Sequence, residues 1–185
     1  MIIDIFIKSS EQRVLSLFAV NPDQAFYGRQ ISRKLKISLG AAHKALSLLE
    51  KNGILVSQNI GTTKLYRLKD FNPIINAFKI LNTLIILDPL TQALKESSRR
   101  VILFGSYATG TFTSESDLDL FVVSEEKEKV ENDINSLKRK TNLDIRPVIM
   151  RLVEWIELED EDPEFFNEVN CGITLWEKPT DDRGF

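Results

Sequence analysis

Two aspartates, Asp117 and Asp119, stand at the head of an otherwise apolar run that ends at Val123. Such a run reads as a β-strand, whose period of two sends both carboxylates to one face while Leu118 and Leu120 enter a core on the other. Two like charges this close are unfavourable unless a cation neutralises them, so the pair asks for a metal. Upstream, the short β run Arg100 to Phe104 ends at Gly105-Ser106. There the missing side chain lets the backbone approach a ligand closely. A helix starting at that point would turn its free N–H groups and the Ser106 hydroxyl outward, a natural seat for phosphate. A third acid, Asp144, stands near the start of another strand-like run, Leu143 to Met150. If that strand neighbours the one headed by Asp117, three carboxylates converge beside the phosphate seat. Such a set suits magnesium chemistry on a triphosphate.

The rest of this half alternates strand and helix. A charged, helix-favouring segment runs from Glu125 to Lys140, a further helix from about Pro163 to Asn170, and a final strand from Ile173 to Trp176. Strands interleaved with helices imply an α/β (α+β) fold with a mixed sheet. Trp155, Phe165, Phe166 and Trp176 read as core, the acidic run Glu157 to Asp162 as a solvated loop, and Lys178 to Phe185 as a loose tail.

The amino half has a different chemistry. Up to Ile75 there are 11 Lys and Arg against 5 Asp and Glu; beyond it there are 13 against 22. A basic half joined to an acidic half suggests two modules with different partners. Ser9 or Ser10 caps a first helix with Val14, Leu15, Leu17 and Phe18 on one face. A second helix spans about Tyr27 to Leu35. Ser38 then caps a third, which buries Ala42, Ala45, Leu46 and Leu49 and stops at Gly53. Two strands, Ile54 to Gln58 and Lys64 to Leu68, follow around Ile60 to Thr63.

This order, with Ile31 to Leu35 and Leu48 to Leu55 as its most telling stretches, resembles a winged helix-turn-helix over roughly Ser9 to Lys69. The resemblance implies that the third helix enters the major groove of double-stranded DNA, presenting Ser38, Leu39, Ala41, His43 and Lys44. Arg29 ahead of the second helix, with Lys64 and Arg67 on the wing, would touch phosphates. The alternatives are that the fold serves protein contact, and that His43 is simply an exposed helix residue.

Gly105, Ser106, Gly110, Ser116, Asp117, Asp119 and Leu120, with Asp144 later, resemble the signature of the DNA polymerase β-type nucleotidyltransferase superfamily. The likeness is greatest to its minimal nucleotidyltransferase branch and covers about Leu94 to Trp176. It implies that Asp117, Asp119 and Asp144 hold Mg2+ or Mn2+ and carry catalysis, while Gly105, Ser106 and Ser116 bind the nucleotide. The implied reaction transfers a nucleotidyl group, AMP from ATP or another triphosphate, to an acceptor the sequence does not name; family precedent makes a partner protein one candidate. Thr109 departs from the pattern, since many relatives carry Arg there. The competing reading is a DNA-binding transcriptional regulator or antitoxin-like protein whose carboxyl domain only binds nucleotide or metal.

The expected organisation is a winged helix over 1–70, a helical linker over 71–98, the nucleotidyltransferase domain over 99–178 and a tail. The oily stretch Ile74 to Leu87 is read as one helix and Leu90 to Glu96 as part of another, separated by Pro89. Because it is apolar on more than one face, it should pack between modules or against a second copy in a homodimer. It looks too short and too polar to span a bilayer, so no membrane is expected. Met1 to Ile7 lacks the basic start of a signal peptide, and the lone Cys171 excludes an internal disulfide, which together suggest the cytoplasm.

Overall fold

The computed structural model describes residues 9–69, 72–141 and 143–179; the readings of Met1 to Ile7 and of the tail beyond Pro179 fall outside them. The chain divides into two compact units, Met1–Lys79 and Ile80–Phe185.

In the first unit, Ser9 caps α1 (Ser10–Ala19). Its hydroxyl accepts from the Gln12 N–H at 3.2 Å, while the Gln12 side chain accepts from the Ser9 N–H at 3.0 Å. This reciprocal pair satisfies two donors that a helix start leaves orphaned. β1 (Ala25–Tyr27) leads into α2 (Gly28–Leu35), which ends at Lys36 in the left-handed region. Ser38 then accepts from the Ala41 N–H at 3.1 Å to start α3 (Leu39–Lys51), and Gly53, at φ 69°, lets the chain leave it. β2 (Leu55–Ile60) and β3 (Thr63–Leu68) form an antiparallel hairpin, with sheet order β1-β3-β2. Val14, Phe18, Ile31, Ala42, Leu46 and Leu55 are wholly or almost wholly buried in the shared core. Phe18 meets Phe26 edge to face at 5.5 Å.

Two local readings change here. β1 is unforeseen, because three residues are too few to show alternation; Phe26 becomes a strand residue by pairing with Tyr66. The hairpin turn is Gly61-Thr62 alone, since Ile60 already pairs with Thr63.

α4 (Pro73–Leu94) is a single helix that runs through Pro89 instead of two helices divided there. A proline inside a helix removes one hydrogen bond and costs about 3 kcal/mol. Leu87, Leu90 and Leu94 are all buried around it. Burial stabilises by roughly 1.5–3 kcal/mol for each such side chain, enough to offset the loss. At 22 residues, with an 18-residue window of mean hydropathy 1.4, the helix is long and apolar enough to cross a membrane by length and composition alone. The expectation that it is too short therefore fails, although core helices of soluble proteins pass the same test. Lys79, Thr83 and Thr91 are buried along it.

The second unit is built on a mixed sheet. β4 (Arg100–Phe104) pairs antiparallel with β5 (Leu118–Val123) and with β7 (Ile173–Glu177), while β5 pairs parallel with β6 (Ile145–Met150), giving the order β6-β5-β4-β7. The helices are α5 (Gly105–Thr109), α6 (Lys127–Thr141), α7 (Leu152–Glu161) and α8 (Pro163–Asn170). Ile102, Phe104, Phe121 and Val123 pack against Trp155, Leu158 and Val169 from α7 and α8. β5 is therefore buried on both faces, and the face that carries Asp119 also carries core residues. Gly172 is required where α8 turns into β7, because a Cβ there would lie 2.5 Å from the Leu103 carbonyl oxygen.

The acidic run is not a loop. Glu157 to Glu161 form the last turns of α7, and Asp162 caps α8 by accepting from the Phe165 N–H at 3.0 Å. Trp155 and Leu158, three apart, supply the buried stripe that makes this acidic segment helical. Trp176 is half-buried, with its indole N–H directed to the Ser98 carbonyl and Lys95 over its ring. Lys178 is tied to the sheet by its N–H to the Arg99 carbonyl at 2.8 Å, so the tail is not loose from its first residue.

Candidate active site

β4 ends at Phe104, and the chain turns at Gly105 with φ 65° to begin α5. Phe104 pairs with Asp119 across the ladder. The Asp119 carboxylate presses on the bend so closely that a Cβ at Gly105 would lie 2.6 Å from its Oδ2. The glycine is thus needed twice, for its backbone angle and for its empty space. After α5, Gly110 at φ 72° reverses the chain and the Thr111 N–H bonds the Ser106 carbonyl at 3.0 Å. Phe112 stacks on Tyr107 at 3.8 Å. The Ser116 hydroxyl accepts from the Thr113 N–H at 2.9 Å, which closes the turn that delivers Asp117 to the head of β5. The described bonds thus give Ser116 a turn-closing role. The Thr109 hydroxyl meets that of Thr111 at 2.8 Å.

The electrostatics follow from this crowding. Burial, then the neighbouring Asp117 charge, pushes the Asp119 carboxyl above its ordinary range; Arg146 pulls it back in part and Glu168 pushes it further. Tyr107 is likewise raised, first by burial and then by Asp117. The Arg146 guanidinium lies 2.7 Å from Asp117. It stands opposite Asp119 in the parallel ladder, on the face that carries the acid pair.

Asp144 lies one residue before β6, and its carbonyl accepts from the Leu118 N–H at 2.8 Å, which sets it in register beside Asp117. It is exposed. Among the described residues, no three His, Cys, Asp or Glu side chains are gathered closely enough to hold a metal ion. The donor set still fits a hard divalent cation: two neighbouring carboxylates, one of them raised first by burial and then by the other, are what such an ion relieves.

Sequence reasoning missed Arg146 and Glu168. Arg146 was legible, because it follows Asp144 by two and so shares its face. Glu168 carried no local signal; it reaches the site because α8 packs on the same face of the sheet, with Phe165 against Phe104 at 5.8 Å.

In the first unit, Arg29, Leu39, His43 and Lys64 line one cleft of about 750 Å³, together with Tyr27 and Tyr66. Arg29 lies inside the first turn of α2, not ahead of it. His43 is exposed, yet it packs on the start of α2, where a Cβ at Gly28 would meet its ring at 3.1 Å. Lys64 is ion-paired to Glu50 at 3.4 Å, and the Ser57 hydroxyl, then Lys64, hold the Glu50 carboxyl below its usual range. Arg67 is three residues from Lys64 and therefore faces the other side of β3, lining a separate cleft with Val56 and Leu65. Lys64 and Arg67 therefore do not share one face of the hairpin. Lys44 is exposed outside the cleft, and the Ser38 hydroxyl is committed to its helix cap.

The residues that build this mixed sheet and its acid-headed strand fall largely within a match to a known family. Residues 87–173 match the family described as the nucleotidyltransferase domain. No curated protein matches the chain. Among solved structures, a provisionally assigned transcriptional regulator from Methanosarcina mazei Go1 is 26% identical over 50% of this chain and 80% of that one, with a TM-score of 0.34. A provisionally assigned nucleotidyltransferase from Sulfolobus solfataricus is 20% identical over 63% of this chain and 95% of that one, with a TM-score of 0.35.

Proposed function

We propose that the carboxyl-terminal unit is a metal-dependent nucleotidyltransferase that moves AMP from ATP to an acceptor hydroxyl. The amino-terminal unit, in this reading, is a winged helix that tethers the activity to double-stranded DNA. The observation that carries the enzyme reading is the crowding of Asp119 against the Gly105 bend, with burial and then the Asp117 charge pushing it above the ordinary carboxylate range.

A bound Mg2+ or Mn2+ supplies charge neutralisation for the triphosphate and for the departing pyrophosphate. Asp117 and Asp119 would hold it, in which case the Arg146 guanidinium, 2.7 Å from Asp117, would have to yield that carboxylate. Gly105 and Ser106 receive the β and γ phosphates. Asp144, in register beside Asp117, takes the proton of the acceptor hydroxyl as that oxygen attacks the α-phosphorus in line. The bond from the α-phosphorus to the bridging oxygen breaks, and pyrophosphate leaves. A side chain of a partner protein is the acceptor class we favour, on the precedent of the family that the Gly105 to Leu120 motif resembles.

One observation favours a second reading, in which the site binds nucleotide and regulates the winged helix without transfer. Asp144 is exposed, and the carboxylates are not gathered as they stand. Labelled ATP, magnesium and cell extract separate the two readings. The enzyme labels an acceptor, and Asp117→Ala with Asp119→Ala abolishes the label. Saturable binding of ATP with no transfer to any acceptor refutes the enzyme and supports the regulator.

A further inference from the structure

The end of the sheet opposite the carboxylates has the reverse problem. Arg100, Val123 and Glu177 meet there as the last paired residues of β4, β5 and β7. Four strand steps of about 3.3 Å, or roughly 13 Å, separate this end from Phe104. One position further out, the Lys178 N–H bonds the Arg99 carbonyl at 2.8 Å, so Arg99 and Lys178 stand directly opposite each other across the ladder. Like charges in that arrangement repel. Both residues are exposed, and both line a cleft of about 570 Å³ whose other walls are Arg100, Val123, Leu152, Trp155, Glu177 and Pro179.

The one acid among the described lining residues does not relieve them. Glu177 is engaged with Arg100, Oε1 to Nε at 3.5 Å. Arg100 is further held over the Trp155 ring at 5.6 Å and toward the Asn170 side-chain oxygen at 3.4 Å. Arg99 and Lys178 therefore line the cleft as a pair of cations without an acid among its described lining residues to balance them. They do so in a chain that is strongly acidic from residue 76 onward. The walls combine this basic rim with an apolar floor of Val123, Leu152, Trp155 and Pro179. The volume falls within the ordinary range for small-ligand sites, roughly 300–1,000 Å³.

We propose that this cleft is a second ligand site, independent of metal, for a phosphate-bearing anion with an apolar body, of the class of a nucleoside monophosphate. Its phosphate bridges Arg99 and Lys178, relieving their repulsion with two charge-assisted hydrogen bonds. Its body covers the apolar floor.

The test is equilibrium dialysis of the full chain against labelled AMP in EDTA, with inorganic phosphate as a second probe. The site predicts saturable binding of one AMP per chain, with phosphate at least tenfold weaker because it lacks the body. Arg99→Ser with Lys178→Ser should weaken AMP binding at least tenfold, while Asp117→Asn with Asp119→Asn leaves it unchanged. Both Arg99 and Lys178 are exposed, so thermal melting should show the double variant folded; Lys178→Glu alone provides a second, milder disruption with the same sign. Absence of saturable binding in EDTA overturns the proposal. So does binding that survives the Arg99/Lys178 variants, or that disappears with the aspartates.

Discussion

The two units hold their charges in opposite ways. In the amino-terminal unit Arg29, His43 and Lys64 reach the rim of a cleft as exposed side chains, and Lys64 already has a partner in Glu50. In the carboxyl-terminal unit Asp119 is half-buried beside another carboxylate and pressed against a glycine that has no room for a Cβ. Solvated charges on a rim can attract a polyanion at little cost to the fold. Like charges crowded under the edge of a core destabilise it, and such an arrangement persists where a ligand relieves it. On the proposed function, the contrast is the one expected between a docking surface and a site for chemistry.

The largest effect that tests this contrast is loss of the acid pair. Asp117→Ala with Asp119→Ala should lower nucleotidyl transfer by at least about 10²–10³-fold, the scale of removing a preorganised electrostatic group. Single-turnover transfer from labelled ATP measures it, and unchanged transfer would erase the distinction between the units. Gly105→Ala comes next. The left-handed backbone and a Cβ 2.6 Å from the Asp119 Oδ2 should cost about 1–3 kcal/mol of stability. Because the relief comes from displacing Asp119, transfer should fall further than that loss of folded protein accounts for; a melt and a rate on one sample compare the two.

Much of this was legible before any coordinates. The strands Arg100 to Phe104 and Leu118 to Val123 end where their apolar runs end, because a buried strand has to be a run of such residues. Gly105 beside Asp119 follows from the motif, since a glycine before a helix and an acid at a strand head can meet if their strands pair. What resisted reading was decided by distant residues. Pro89 stays helical because Leu87, Leu90 and Leu94 are buried, which its own sequence neighbours do not announce. The run Glu157 to Glu161 looks like solvated loop until Trp155 and Leu158 find Phe121 and its neighbours in the sheet. Glu168 enters the electrostatics of the site by packing alone. Lys64 and Arg67 are a different matter. Their odd spacing on a strand already placed them on opposite faces, and the family likeness obscured simple parity.

A smaller effect concerns stability without ligand. The Asp119 carboxyl is raised by burial and by Asp117, so between its ordinary value near 3.8 and its raised value the folded state holds a proton that the unfolded state has released. Stability therefore falls as pH rises through that window, and the loss persists above it. Asp119→Asn removes the penalty. In EDTA at neutral pH it should raise the melting temperature by about 1–2 °C, a modest figure because the carboxylate still sees solvent. Wild type should recover the same order of stability when magnesium is added, and the variant much less. A lower melting point for Asp119→Asn in EDTA would mean that the charge supports the fold, and that the crowding has no functional reading.

The smallest effect sharpens the other side of the comparison. If the cleft of the amino-terminal unit meets a DNA backbone, Arg29→Ala and Lys64→Ala should each weaken binding by only a few-fold, about 1 kcal/mol or less, for exposed contacts that water and salt already screen. Each should also lower the dependence of affinity on salt by about one counterion. Lys64→Ala should act less than Arg29→Ala, because Lys64 must first leave Glu50. Arg67→Ala is the control. It removes the same charge from the same strand but from the other face, so binding through the cleft should not respond to it. Equal losses for Arg67 and Lys64 in a salt titration would show that the sheet edge, and not the cleft, meets the phosphates. The contrast between rim and core would then need a different surface on its docking side.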